Sequence, residues 1–538
     1  MIFLYLRAYH IAEWSAESAP DFDHFMINPR QFCYGYKWTR VMLVCRYWYS
    51  VAKAFPQLWT VISLDHFGRK ERLLKSHLIR SGTLPLTVEI PVDAHVDDRF
   101  INKVLDNLYR LQRLRIDGEP TSVLETRIVE SDAPLLETFA MYTDVDDFDD
   151  TVDEIDESEP LTLPVLFHNT HPRLISLSFQ TYRRYDNNDF TTLRHLHVSK
   201  QAFVLSEDFY ALLALLGRIP TLEVFMISKT RSTRIMEEAV DALNTENYRI
   251  GLPQLQTIIL SEVPLSFAGL VLRSLSLAQG RNLAVMFRAK ELYIERPSLE
   301  DRWEVGIPGL QLLGAEWGEI TREAHTMSIN AYAQGWWNLI AISERRELCL
   351  QKLYAKPHDV PRALRGLVSC VRDIWLNVLD SKDMHQRFDL TLPVWFLKNA
   401  IHAKRVFLEI NIHGDGPLSV LEAFFSDPDN SLVHLMECHA VIHHTGPVVA
   451  NQTERLFRAV ATSMSAIAFH VYLSIPWDDK TADPIAVWED MLRTSELGSS
   501  VHVHFHLAKD FPRASLSKCC RPPSGPEWGH GVTGATVE

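Results

Sequence analysis

Four times between residues 134 and 260 a proline stands two positions before a leucine that opens an apolar pattern at spacing i, i+3, i+5. The copies are Pro134 with Leu136, Phe139 and Met141; Pro172 with Leu174, Leu177 and Phe179; Pro220 with Leu222, Phe225 and Ile227; and Pro253 with Leu255, Ile258 and Leu260. The same register recurs without proline at Leu111, Leu114, Ile116 and at Leu193, Leu196, Val198, and a weaker copy follows at Pro308, Leu310, Leu313, Ala315. The last two positions of each copy put alternate side chains on one face of a short strand, and the first tucks the incoming turn into the same core. A chain with this pattern must fold around a series of short strands that share an apolar face.

The pattern L-x-x-L-x-L is also what a leucine-rich repeat needs. The six clear copies are spaced by 25, 38, 19, 29 and 33 residues, so the expectation is an α/β fold built as an irregular leucine-rich-repeat solenoid. Helices over 204–216 and 264–277 are expected to close strand–helix units. The array is expected over residues 80–320, with a degenerate continuation over 321–510 whose strand cores are Ile374–Leu376, Val406–Ile412, Ile467–Ile475 and Val501–Leu507. Residues 511–538, rich in Pro and Gly, read as a flexible tail. Stacked strands of this kind would offer an extended concave surface to a protein partner rather than a closed small-molecule cavity.

The spacing of 38 has a visible cause. Residues 144–159 carry ten carboxylates and no cation, and self-repulsion keeps such a run solvated. As a calcium loop it fails, because starts at Asp144 or Asp147 lack glycine at position 6 and glutamate at position 12. Of the net charge of −14, ten negative charges lie here, leaving −4 for the remaining residues. Neither nucleic acid nor an anionic membrane is an expected partner for such a chain. The seven cysteines form no C-x-x-C pair, which fits a reducing compartment. The opening apolar run Met1–Leu6 is shorter than a signal-peptide core, and the most apolar internal stretch, Leu265–Ala278, is broken by Arg273 and falls short of a bilayer span. An intracellular location, cytoplasmic or nuclear, is therefore expected.

Catalytic signatures are missing where they would be legible. The chain has no G-x-x-x-x-G-K-[ST], no G-x-S-x-G and no H-E-x-x-H. A G-x-G-x-x-G at Gly529–Gly534 follows no strand and precedes no helix, so it has no helix N-terminus with which to hold a pyrophosphate. His502, His504 and His506 alternate with apolar residues and share one strand face. At most two of them reach one ion, so they read as the polar side of a half-buried strand rather than a metal centre. His439, His443 and His444 are further ligand candidates with nothing in the sequence to place them nearby. No cofactor, metal or catalytic residue is expected.

The aromatic N-terminus carries the functional signal. From Trp38 onward, Val41, Val44, Trp48 and Ala52 fall on one helical stripe, widened by Leu43 and Val51, and Phe55-Pro56-Gln57-Leu58-Trp59 ends the helix. Val44-Cys45-Arg46-Tyr47-Trp48, then Val51-Ala52, then Pro56-Gln57-Leu58-Trp59 resemble the C-terminal half of an F-box, whose usual form is V-C-R-x-W, x-x-A, x-P-x-L-W. Ile2–Leu6 look like the end of the first F-box helix. The stretch from Leu74 to Ile90 is similar to the segment after the F-box in the expanded set of F-box proteins from mushroom-forming fungi. The resemblance covers residues 1 to about 90. The family's L-P-x-E lead does not precede Ile2, and residues 10–36 lengthen the link between the helices.

The resemblance implies a short helical F-box-like domain over residues 1–65, with a truncated lead-in, ahead of the strand-rich remainder. It implies a substrate-recognition subunit of a Skp–cullin–F-box ubiquitin ligase. The Skp-type adaptor and cullin ligase would be its partners, together with an unidentified protein substrate. The residues expected to contact the adaptor, or to hold the contacting helices, are Leu43, Val44, Trp48, Leu58 and Trp59. The alternative is a leucine-rich interaction scaffold with a decayed F-box and no ligase role.

Overall fold

The computed structural model describes residues 42–64, 71–92, 97–118, 121–142, 161–185, 187–232, 249–276, 283–289, 324–332, 336–343, 346–354, 368, 370–379, 396–411, 434–443, 468–474 and 502–507. The acidic segment 144–159, the expected first F-box helix, the long link 10–36, the weak copy 308–315, the Gly529–Gly534 motif and the tail lie outside the described residues. The chain divides into two compact units, Met1–Gln279 and Gly280–Cys519.

Among the described residues, the first helix of the first unit is α1 (Arg46–Ala54), followed by a 3-10 turn, Pro56–Trp59. Beside two short parallel pairs, Ala202–Phe203 with Arg231–Ser232 and Ile250–Gly251 with Leu275–Ser276, eight strands among the described residues form the main sheet of this unit: β1 (Val61–Ser63), β2 (Leu86–Pro91), β3 (Leu111–Asp117), β4 (Thr138–Tyr142), β5 (Ser176–Gln180), β6 (His195–Ser199), β7 (Val224–Ser228) and β8 (Thr257–Val263). Each pairs in parallel with its predecessor, so spatial order equals chain order. Helix α2 (Glu71–Arg80) follows β1, α3 (Asp98–Leu105) follows β2, α4 (Ser122–Glu130) follows β3, α5 (Ser206–Gly217) follows β6 and α6 (Leu265–Arg273) follows β8. Local chemistry sets their starts. Asp97 caps α3 by accepting the Arg99 N–H at 2.9 Å, and Thr121 caps α4 by accepting from Leu124 at 3.3 Å.

The sequence pattern maps onto this sheet position by position. Leu114, Phe139, Leu177, Leu196, Phe225 and Ile258 lie side by side in one row, and Ile116, Met141, Phe179, Val198, Ile227 and Leu260 in the next. All are buried. The prolines also have a geometric role. Leu136, Leu174, Leu222 and Leu255 each donate a backbone N–H to the residue three before them, at 3.0–3.2 Å. This puts Pro134, Pro172, Pro220 and Pro253 at the second position of a tight turn, where a fixed φ near −65° is already correct.

The solenoid expectation is corrected at this point. The units are α/β sheets of predominantly parallel strands with helices. Connections between successive strands range from α-helices to the 3-10 turn Leu166–Asn169 between β4 and β5, with no helix among the described residues between β5 and β6. On the second face Glu89, Arg115, Ala140, Ser178, Met226 and Ile259 are buried, while Thr87, Arg113, Ser176, His195, His197, Val224 and Thr257 are half-buried. Parallel strands connected by helices belong to α/β architecture. The L-x-x-L-x-L pattern reports a buried strand after a turn, and that requirement is the same in both architectures.

The strands of this unit share an exit geometry. Gly118, Thr181, Lys200 and Lys229 directly follow β3, β5, β6 and β7, and all have positive φ, as does Glu262 near the end of β8. At Gly118 a side chain is impossible, since a Cβ would lie 2.4 Å from the Val92 carbonyl oxygen.

In the second unit the strands are β9 (Leu283–Ala289), β10 (Thr326–Tyr332), β11 (Trp336–Ile342), β12 (Arg346–Tyr354), β13 (Asp373–Leu379), β14 (Arg405–Asn411), β15 (Glu437–His443), β16 (Ala468–Ser474) and β17 (His502–Leu507). Strands β13 to β17 run parallel in chain order. Ahead of them β10, β11 and β12 form an antiparallel meander, after which β9 pairs in parallel with β12 and β10 with β13. That excursion has no counterpart in a repeat array.

Candidate functional site

Helix α1 begins later than the apolar stripe suggests. Cys45 is extended and acts as the cap: its Sγ accepts the Trp48 N–H at 3.5 Å, and its carbonyl accepts from Tyr49 at 3.0 Å. Val44 therefore precedes the helix instead of lying on its buried face. Only the C-terminal end of α1 is covered. Ala52, Leu58 and Trp59 form a small core with Met42 and Phe55 against it.

Trp59 is the centre of that core. Its indole Nε1–H donates to the Ala52 carbonyl at 2.9 Å. The His77 ring meets it edge-on at 4.7 Å, and the Arg80 guanidinium lies over it at 4.4 Å. Both come from α2. A buried indole with its N–H satisfied and a cation on its face is fixed on all sides. Directly after it, the Thr60 carbonyl accepts the Thr87 N–H and β1 joins β2.

The five residues expected at the adaptor contact thus separate. Leu58 and Trp59 are buried and hold the segment, Trp48 is half-buried, and Leu43 and Val44 are 86% and 67% exposed. Tyr47 (73% exposed) and Tyr49 join the exposed pair. Sequence reasoning passed over Tyr47, because it occupies the variable position of V-C-R-x-W. His77 and Arg80 escaped notice for want of any local signal tying them to Trp59.

A second polar constellation crosses the first sheet. The Ser178 hydroxyl donates to the Tyr142 hydroxyl at 2.9 Å. His197 Nδ1 is 2.8 Å from Ser178 Oγ, and its Nε2 is 2.9 Å from Ser228 Oγ. Beside this chain the Arg115 guanidinium covers the Tyr142 ring at 4.6 Å and pairs with Asp117 at 2.6 Å. Burial, with a smaller contribution from Lys229, lowers the His197 pKa to about 3. An imidazole held that far below neutrality is a poor general base in the neutral range; its contacts with Ser178 and Ser228 join β5, β6 and β7. They were invisible in sequence, since Ser178, His197 and Ser228 lie on three different strands.

Of the histidines singled out in the sequence, His504 is brought beside His470, and His470 beside His439. Among the described residues no group of three or more His, Cys, Asp or Glu side chains is arranged to hold a metal ion. Among the same residues no helix is long and apolar enough to cross a membrane. No protein-family model matches the chain, and no curated protein matches it in sequence.

Proposed function

We propose that this chain is the substrate-recognition subunit of a Skp–cullin–F-box ubiquitin ligase, docking on the Skp-type adaptor through the segment around Leu43, Val44 and Tyr47. The observation that carries the reading is that Leu43, Val44 and Tyr47 are exposed apolar side chains adjoining in sequence Met42, which packs against the small core of Ala52, Leu58 and Trp59. An exposed patch of this kind is an interaction site in waiting, and its residues fall within the V-C-R-x-W…L-W block that resembles an F-box. The α/β units behind it would hold the protein target near the ubiquitin-charged enzyme. The contribution is proximity and orientation, which requires no catalytic residue in this chain.

The test is capture of the full chain by purified Skp-type adaptor. Wild type is expected to be retained, and a Leu43→Asp/Val44→Asp variant to be lost while keeping its fold. Failure of the wild type to bind sinks the reading and leaves the interaction scaffold with a decayed F-box.

A further inference from the structure

Three consecutive residues of the first unit, none of them glycine, hold left-handed backbone. Phe167, His168 and Asn169 have φ of 52°, 50° and 58°, and the first two have ψ of 44° and 24°. Left-handed backbone lowers the population of an L-residue by about five- to thirtyfold, with asparagine the mildest case of the three. Such residues normally occur singly. A run of them persists only where the surroundings over-determine it.

Here the surroundings are two apolar side chains and two asparagines. Leu166 and Phe167 are buried, and the Phe167 ring meets Phe139 of β4 edge-on at 5.3 Å. Buried Asn188 accepts the Leu166 N–H at 2.8 Å and donates to the Pro164 carbonyl at 2.9 Å. Asn169 accepts the Asp189 N–H at 2.9 Å and donates to the Asn187 carbonyl at 3.2 Å. The Thr170 N–H closes the turn onto the Phe167 carbonyl at 2.6 Å. His168 is exposed, with Nδ1 3.7 Å from Asp132.

Both ends of the stretch are fixed by other bonds. Thr162 bridges to Arg184, and the Leu163 N–H donates to the Arg184 carbonyl at 2.8 Å. Beyond the turn, Leu174 is buried and β5 pairs with β4 from Thr138↔Ser176 to Met141↔Phe179. The asparagine bonds link 164–169 to 187–189 and take no part in that ladder, so their loss leaves β4 and β5 joined.

We propose that Leu166–Asn169 is a conformational latch: a strained turn held shut by Asn188 and Asn169, which opens between its fixed ends while β4 and β5 stay paired. In the shut form, apolar burial and the asparagine bonds offset the left-handed backbone. Opening returns that backbone to relaxed conformations. The first unit thereby has a second conformation that requires no unfolding of the sheet, and a partner that prefers the open form shifts the population toward it.

Hydrogen exchange of the full chain at neutral pH, read at the bonded amides of Leu166 and Thr170, tests this. In wild type these are expected to show at least about tenfold less protection than the amides of β4 and β5. His168→Gly removes the left-handed penalty at an exposed position, offset in part by the greater freedom of glycine in the open turn. It should raise protection of the turn about two- to fivefold. Asn188→Ala should lower it about tenfold or more, and neither substitution should change β4 or β5. Equal protection of turn and strands in wild type overturns the proposal, as does a His168→Gly turn no better protected than wild type, or an Asn188→Ala turn no worse. Should Asn188→Ala fail to fold, wild type and His168→Gly decide.

Discussion

The indole N–H of Trp59 donates to the carbonyl oxygen of Ala52 at 2.9 Å, tying the last turn of α1 to the chain that enters the first sheet. Trp59→Phe keeps most of the apolar surface and removes that bond. Because Ala52 O also accepts from Phe55 at 3.4 Å, the loss should be limited to about 1 kcal/mol. Trp59→Ala empties the core and should cost about 3–5 kcal/mol. Urea denaturation of the two variants checks the order and the gap.

Leu43 and Val44 contribute little to folding, since both are mostly exposed. Leu43→Asp and Val44→Asp should each change stability by no more than about 0.5 kcal/mol. Thermal melts of the variants check this. A large fall would mean that these side chains are packed, and would remove them as a free docking surface.

Ser178 holds the centre of the Tyr142–Ser178–His197 chain. Ser178→Ala removes a partner from both neighbours and should cost about 1–3 kcal/mol, more than Tyr142→Phe, which leaves the histidine contact in place. Comparing denaturation midpoints of the two variants shows whether that order holds.

The His197 pKa is lowered to about 3 in the folded chain, by burial first and Lys229 second. The unfolded chain, with an ordinary value near 6.5, then binds more protons below that pH. The contribution of neutral His197 is fully present above about pH 6.5 and is lost progressively as pH falls toward 3. Protection of β5 to β7 against hydrogen exchange should fall over this window, and the slope should flatten in His197→Asn.

Arg110 is buried and donates to the carbonyls of Leu78, Gly82 and Leu84 and to the Ser81 hydroxyl, closing the C-terminal end of α2. Arg110→Leu should cost about 3 kcal/mol by stranding those acceptors, with Arg110→Lys recovering only part because it lacks the planar fork. Equilibrium unfolding of both variants measures the difference.

Much of the strand framework was legible before any coordinates. Leu114, Phe139, Leu177, Leu196, Phe225 and Ile258 announced their row because period-2 burial is a local property of the chain, and Pro134 or Pro220 announced the turn that precedes it. The second face stayed hidden. Arg115, Ser178 and His197 are polar, and nothing local says that a polar side chain will be covered and bonded across strands. The antiparallel meander of β10 to β12 was missed for a related reason, since a strand's direction relative to its neighbour leaves no mark on its own sequence. At the candidate docking segment, Leu43, Val44, Leu58 and Trp59 read alike as large apolar residues. What separates exposed from buried is the late start of α1 at Arg46, set by the Cys45 cap.

The left-handed residues that follow the strands bear on how a sheet like this can change over evolutionary time. Gly118, Thr181, Lys200 and Lys229 turn the chain out of the ladder at the same height, at a backbone cost of about 1–2 kcal/mol for each that is not glycine. Beyond such a fixed exit, the next stretch can grow or shrink without moving the rows it connects. The 38 residues from Leu136 to Leu174 include the whole acidic insertion, yet Phe139 still meets Leu177 and Met141 still meets Phe179. Length variation is thereby channelled to the carboxyl edge, where new segments can be added and tried while the interior stays constant.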